Sequence, residues 1–148
     1  MCLGLARRAL EEFKQLALTK ESAFGPRLRE QVQAHVGVAR AEALVQSART
    51  YWYDQVQAIW DAALHGCELS LEARAGARLA CLTAAENSVA AVDLLYRLAG
   101  SSAIFQSSPL ERCFRDVHTA AQHLQVQEGR WETAGRVLLG LDPASPLL

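Results

Sequence analysis

The stretch from Leu79 to Leu98, LACLTAAENSVAAVDLLYRL, decides the fold class. Leu79, Leu82, Val89, Val92, Leu94, Leu95 and Leu98 spread over more than one face of a 3.6-residue repeat, with alanines at many positions between them. A helix that is apolar most of the way round is covered on several sides, and alanines let its neighbours come close. Ser70 suits an N-cap and Gly100 a C′ position. Together they predict a helix over Leu71–Ala99 in the middle of a bundle.

Working outward toward the N-terminus, Gly66, Cys67 and Glu68 read as a short connector. The proline-free run before it, Arg27 to Leu64, predicts a single helix about 57 Å long. Its first half puts Leu28, Val32, Val36, Ala39 and Ala43 on one stripe. Its second half, from Tyr51-Trp52-Tyr53 through Val56, Ile59 and Trp60, is apolar on more than one face, which one partner helix cannot cover. A subunit interface is expected there. The first helix is predicted from about Leu3 to Lys20, with Leu5, Ala6, Ala9, Leu10, Phe13, Leu16 and Ala17 at three- and four-residue steps. The segment Ser22 to Pro26 breaks it, Gly25-Pro26 being the stop.

Toward the C-terminus, Ser101 to Ser107 is a polar loop. Ser108-Pro109-Leu110-Glu111 then supplies an N-cap serine, an N1 proline and an N3 glutamate, a capping box that opens a fourth helix over Pro109 to about Gln125. A fifth, short helix is expected over Trp131–Leu139, stopped by Gly140 and Pro143. The expected fold is all-α: an antiparallel four-helix bundle with a short C-terminal helix, one domain over residues 1–148.

Composition agrees. Alanine (26) and leucine (22) far outnumber valine, isoleucine and threonine together (17), which favours helix over strand. A length of 148 residues fits one domain. The net charge of -1 gives no bulk field for nucleic acid or an anionic membrane. No apolar run approaches the ~20 residues of a membrane span, and no basic-then-apolar leader is present. Cytoplasmic localisation is the expectation. The cysteines at 2, 67, 81 and 113 form no CxxC pair and are read as reduced.

Bundles often hold metals, but none of His35, His65, His118 and His123 follows a glutamate by three residues, and His118 and His123 lie on different helix faces. No nucleophile elbow, P-loop or GxGxxG occurs. The loop before the fourth helix is more informative. Arg97, Arg112 and Arg115 surround a helix start preceded by small residues, a combination that suits phosphate or pyrophosphate. Judged on the residues alone, solvated arginines paired with Glu111 and Asp116 are the better account.

A longer pattern changes that weighting. The run Leu94-Leu95-Tyr96-Arg97-Leu98-Ala99-Gly100-Ser101-Ser102-Ala103-Ile104-Phe105, then Ser107-Ser108-Pro109-Leu110-Glu111-Arg112, then Arg115-Asp116-Val117-His118-Thr119-Ala120-Ala121-Gln122-His123, closely resembles the C-terminal helical domain of the acyl-CoA dehydrogenase superfamily. The nearest branch is the two-component monooxygenases that use reduced flavin. Leu3 to Leu10 resembles that domain's first helix, and Ala134 to Pro143 its last turn. The resemblance implies a bundle that packs into a tetramer core. It further implies FAD or FMN as cofactor and a flavin reductase as source of reduced flavin. Gly100, Ser101, Ser102, Ser107, Ser108, Arg112 and Arg115 would then lie against the flavin phosphates. His123 would lie near the isoalloxazine ring as acid or base toward the oxygenated flavin or a phenolic substrate.

Two positions depart from the family pattern. Ser101 stands where members commonly have a second glycine, and Gln122-His123-Leu124-Gln125 lacks the carboxylate that acyl-CoA dehydrogenases often carry there. Hydroxylation is therefore favoured over dehydrogenation. The family's N-terminal helical and middle β-domains have no counterpart in these 148 residues. The chain is expected to be a domain fragment, a truncated frame or a stand-alone descendant, with little activity by itself. Two further readings stand beside this one: an assembly module that oligomerises through Tyr51, Trp52 and Trp60, and an unrelated helical adaptor.

Overall fold

Apolar residues at three- and four-residue steps build the first helix, α1 (Cys2–Thr19), whose Ala6, Ala9, Leu10, Phe13 and Ala17 are all buried. A computed structural model describes residues 1–21, 25–146 and 148 of the chain. All regular structure among them is helical: α1 is followed by α2 (Val32–Leu64), α3 (Leu71–Ala99), α4 (Pro109–Ala120) and α5 (Gly129–Leu138). The helix α3 packs against each of the other four, and α1 also meets α2 and α4. Helices α1 to α4 are thus the four-helix bundle, and α5 leans on α3. The core joins Leu10 and Phe13 of α1 to Val45, Val92, Leu95, Leu110 and Val117. A smaller cluster, Ala75 with Ala134 and Val137, seats α5.

The span of α3 coincides with the expectation, and Ser70 caps it, its hydroxyl oxygen accepting the Ala73 N–H at 3.1 Å. At the other end Gly100 takes φ +59°, and the Lys20 ammonium donates to the Ala99 carbonyl at 2.9 Å. By length and composition residues 71–102 are long and apolar enough to cross a membrane, although charged residues interrupt the run. Burial against four neighbouring helices accounts for that composition. The α2–α3 contact is close at Gly37: a Cβ there would fall 2.1 Å from Leu98 Cδ1, so the Leu98 side chain would have to move to admit it.

Other boundaries differ from the sequence reading, each for a local reason. The long second helix does not start at Arg27. Residues 28–30 form one 3-10 turn that buries Leu28, and Gln31 is extended (φ -84°, ψ 131°) before α2 begins. Side chains compete with the helical pattern here: Glu30 accepts the Arg27 N–H at 3.3 Å, and Gln31 donates to the Pro26 carbonyl at 3.1 Å. The predicted break at Ser22–Pro26 falls partly on residues 22–24, outside the described residues.

The fourth helix stops at Ala120 rather than Gln125. Arg78 of α3 holds Gln125 through the backbone carbonyl (3.2 Å) and the side-chain oxygen (2.5 Å), which draws residues 124–126 into a 3-10 turn. Pro109 does open α4, but the expected capping box does not form. The Ser108 hydroxyl makes no cap bond, and Glu111 faces Arg115 at 3.5 Å instead of reaching back. The fifth helix begins two residues earlier than read, at Gly129.

Charged groups lock α1 to α2. The Glu42 carboxylate accepts from Lys14 (3.0 Å), Arg7 (2.9 Å) and Gln46 (3.2 Å), and the Lys14 ammonium leads in holding its carboxyl below the ordinary glutamate value of 4.5. A group whose folded pKa is depressed stabilises the fold above its unfolded pKa and loses that contribution as pH falls through the folded value. A third of the Glu42 side chain stays open to solvent, so its contribution is at most about 1 kcal/mol. In urea melts, Glu42→Gln should therefore be less stable than the parent above pH about 5, with the gap closing below the glutamate range. A gap that did not change with pH would mean that Glu42 acts through packing rather than charge.

Candidate functional site

All four bundle helices contribute to one cleft of about 800 Å³. The first two turns of α1 form one wall, Arg49, Trp52 and Tyr53 of α2 another, and Cys81 of α3 lies at the back. Ala120 at the end of α4 and His123 just beyond it close the remaining side. The early stop of α4 is what brings His123 here. It caps the 124–126 turn, its Nδ1 accepting the Gln125 backbone N–H at 3.2 Å. With Nδ1 engaged as acceptor, the neutral ring carries its proton on Nε2. The imidazole therefore offers an N–H donor from a turn that Arg78 holds in place.

Trp52 and Tyr53 meet edge to face, centroids 5.2 Å apart at 86°. The Arg49 guanidinium lies 5.0 Å over the Tyr53 ring. Two more arginines line the cleft from α1. Arg7 pairs with Glu11 at 3.1 Å and Glu42 at 2.9 Å, and Arg8 pairs with Glu12 at 2.5 Å.

Ser107, Ser108 and Arg112 line a second cleft, of about 550 Å³, with Arg8, Cys113 and Asp116. Burial pushes the Cys113 thiol up, so it stays protonated there. Arg112 and Arg115 keep company with the carboxylates foreseen for them. Arg112 reaches Asp116 at 3.5 Å, and Arg115 reaches Glu111 at 3.5 Å and Asp116 at 3.6 Å. These are long contacts between side chains 77% and 60% exposed on the arginine side, so both guanidinium groups can turn to another anion. Gly100–Ser102 form a 3-10 turn directly after α3, and neither they nor Arg115 line either cleft.

The structure thus places His123 in one cleft and Ser107, Ser108 and Arg112 in the other, leaves Gly100, Ser101, Ser102 and Arg115 outside both, and has Arg8 alone common to the two. A third group fixes α4 on α3 between them. His118 Nε2 lies 2.8 Å from Asp93 Oδ1, and its ring leans on Phe114, which stacks on Tyr96 at 4.3 Å.

The sequence reading missed Arg49 and Tyr53 as cleft residues. It also expected a subunit interface along the aromatic stretch of α2, without separating the rings that turn inward. Tyr51 instead donates to the Gly76 carbonyl at 3.3 Å, and Trp52 lines the cleft. What stays uncovered is a stripe at helical spacing: Tyr53, Val56, Trp60 (62% exposed) and Leu64 (68%). The signal in the sequence was apolarity on more than one face of α2, which does not say which face meets what.

Known proteins resemble this arrangement. The model of the acyl-CoA dehydrogenase C-terminal domain matches residues 1–128. Indole-3-acetate monooxygenase of Pseudomonas putida is 32% identical over 142 residues, 95% of this chain and 36% of that protein. The pigment production hydroxylase of Rhodococcus erythropolis is 27% identical, over 98% of this chain and 37% of the hydroxylase. Among solved structures, XiaF from Streptomyces sp., in complex with FADH2 and glycerol, superimposes with a TM-score of 0.92 at 25% identity. That match covers 99% of this chain and 38% of XiaF. The chain spans a little over a third of the length of the relatives it matches. With a matching fold, and with the family pattern running through most of its length, this chain belongs to the acyl-CoA dehydrogenase C-terminal domain family.

Proposed function

We propose that this chain is the flavin-contacting and oligomerising helical domain of a reduced-flavin monooxygenase that hydroxylates an aromatic substrate. The observation that carries this reading is His123, set in the cleft shared by the four bundle helices with Nε2–H available and no carboxylate beside it on residues 122–125. An α-proton abstraction of the dehydrogenase kind wants a carboxylate there. A hydroxylation wants a donor to an oxygen and an acid or base for a phenolic or enamine-like substrate. The monooxygenase and hydroxylase relatives support the same choice.

The residues present fit a flavin at its phosphate end. Ser107, Ser108 and the largely exposed Arg112 guanidinium line the second cleft at the start of α4, with Arg115 one turn further along the helix, a set of donors suited to a pyrophosphate and hence to FAD rather than FMN. Bound there, a reduced flavin would supply the electrons that activate dioxygen. Arg112 and Arg115 would exchange their long carboxylate contacts for phosphate oxygens. His123 would orient the reacting oxygen and substrate by donating from Nε2, while its Nδ1 stays fixed by the Gln125 amide.

The two clefts are distinct within one copy, which favours a cofactor that runs along the subunit boundary. The uncovered Val56–Trp60–Leu64 stripe supplies a face for that assembly, which we take to be a homotetramer. Hydroxylation is assigned to the larger assembly that this domain completes, in the cytoplasm and with a flavin reductase as donor.

Titration with FAD and FMN, oxidised and reduced, tests the cofactor edge. FAD should bind saturably, and an Arg112→Ala, Arg115→Ala double variant should bind it at least about tenfold more weakly. Equal binding by both proteins, or none by the parent, would leave the chain an assembly module only. Sedimentation should give the parent a multiple of the 16.2 kDa chain mass and return a Trp60→Glu, Leu64→Glu variant to one chain. Long-range proton–nitrogen spectra should find neutral His123 in the Nε2–H tautomer. An Nδ1–H tautomer would remove the donor on which its role depends.

A further inference from the structure

We infer that Arg49 makes the His123 cleft selective for a planar aromatic carboxylate, taking the acid group while the ring lies against Trp52. This rests on reading that cleft as the reaction site, and it adds the charge of the substrate and the residue that senses it.

The lining carries three guanidinium groups, from Arg7, Arg8 and Arg49, against the single carboxylate of Glu11. Two of the three are satisfied. Arg7 is held between Glu11 and Glu42, and Arg8 by Glu12. Arg49 differs: among the described residues its contact is the face of Tyr53, and no carboxylate or carbonyl accepts from it. A guanidinium laid on an aromatic ring keeps its planar edge of N–H donors outward, where a carboxylate can take two parallel hydrogen bonds.

The surroundings suit the rest of such a ligand. Trp52 offers an aromatic surface beside Arg49, Ala84 and Ala85 of α3 give a smooth apolar floor, and His123 faces the cleft from the α4 side. The volume, about 800 Å³, lies within the ~300–1,000 Å³ range of small-molecule sites. A neutral aromatic would fill the apolar part and leave Arg49 unused. An aromatic cation would meet the excess of positive charge.

Calorimetric titration of the full 148-residue chain with indole-3-acetate and its uncharged counterpart indole-3-acetamide tests this. The parent should prefer the acid by about tenfold or more. Arg49→Gln should bind the two alike. Arg49→Lys should keep a reduced preference, because an ammonium cannot make the paired contact. Arg40→Gln, an exposed charge loss on the same helix outside the cleft, should keep the full preference.

The inference is overturned by equal affinity for acid and amide in the parent, by no saturable binding of the acid, or by Arg49→Gln retaining the preference. It is also overturned if Arg49→Gln loses both ligands with an unchanged melting curve, since the guanidinium would then shape the cleft rather than choose the charge. A preference for the acid in a chain that binds no flavin would sink the proposed cofactor role and leave Arg49 standing. Flavin binding without the preference would do the reverse.

Discussion

The cover that α3 needs on most of its faces, all but the one that carries Glu86, Ala90 and Arg97, governs where the other helices lie. Its buried positions, from Ala75 through Leu82, Ala91, Val92 and Leu95 to Ala99, run round the helix rather than along one stripe. Removing that surface from water takes α1, α2, α4 and α5 together. Small side chains set how near they come. Gly37 meets Leu98, and Gly76 lies so close to Gln55 that a Cβ there would be 2.5 Å from Oε1. Hydrogen bonds at the ends of α3 then aim the connecting segments, Lys20 at Ala99 before the 100–102 turn and Arg78 at Gln125 after α4.

Both clefts follow from this packing. The main one opens where the four bundle helices diverge around the start of α1, and His123 enters it because α4 ends a turn early. Had the helix run on to Gln125, residue 123 would have kept helical geometry and its ring would not have capped the 124–126 turn. The second cleft lies beside the start of α4, against Leu5 and Arg8 of α1. The polar groups of the site are thus borne by turns and helix ends, while the apolar interior holds those turns in position.

Much of this was legible in the residues. The apolar stripe of α1, the limits of α3 and its Ser70 cap follow from local spacing and cap chemistry, which act within a few residues along the chain. The same local rules failed where a side chain distant in sequence intervened. Arg78 lies 47 residues from Gln125, and no feature of residues 120–126 announces it. The capping box at Ser108 failed for a nearer reason, since Glu111 had Arg115 one turn on as a competing partner. The aromatic run of α2 was recognised as apolar on too many faces, yet whether each ring met α3, the cleft or solvent depended on a rotation that only the neighbours define.

By itself, then, the sequence determined an all-helical chain, the identity and limits of its central helix, and the family pattern around residues 94–123. These are written in periodicity, caps and local motifs, whose energies depend on near neighbours. Tertiary structure alone decided that His123 lines one cleft, that Ser107, Ser108 and Arg112 line another, and that Arg8 touches both. It also decided that Tyr51 turns to Gly76, and that Arg49 is the cleft arginine without a carboxylate partner among the described residues. Those outcomes depend on which groups from distant parts of the chain compete for the same partner, and that competition exists only once the helices are packed.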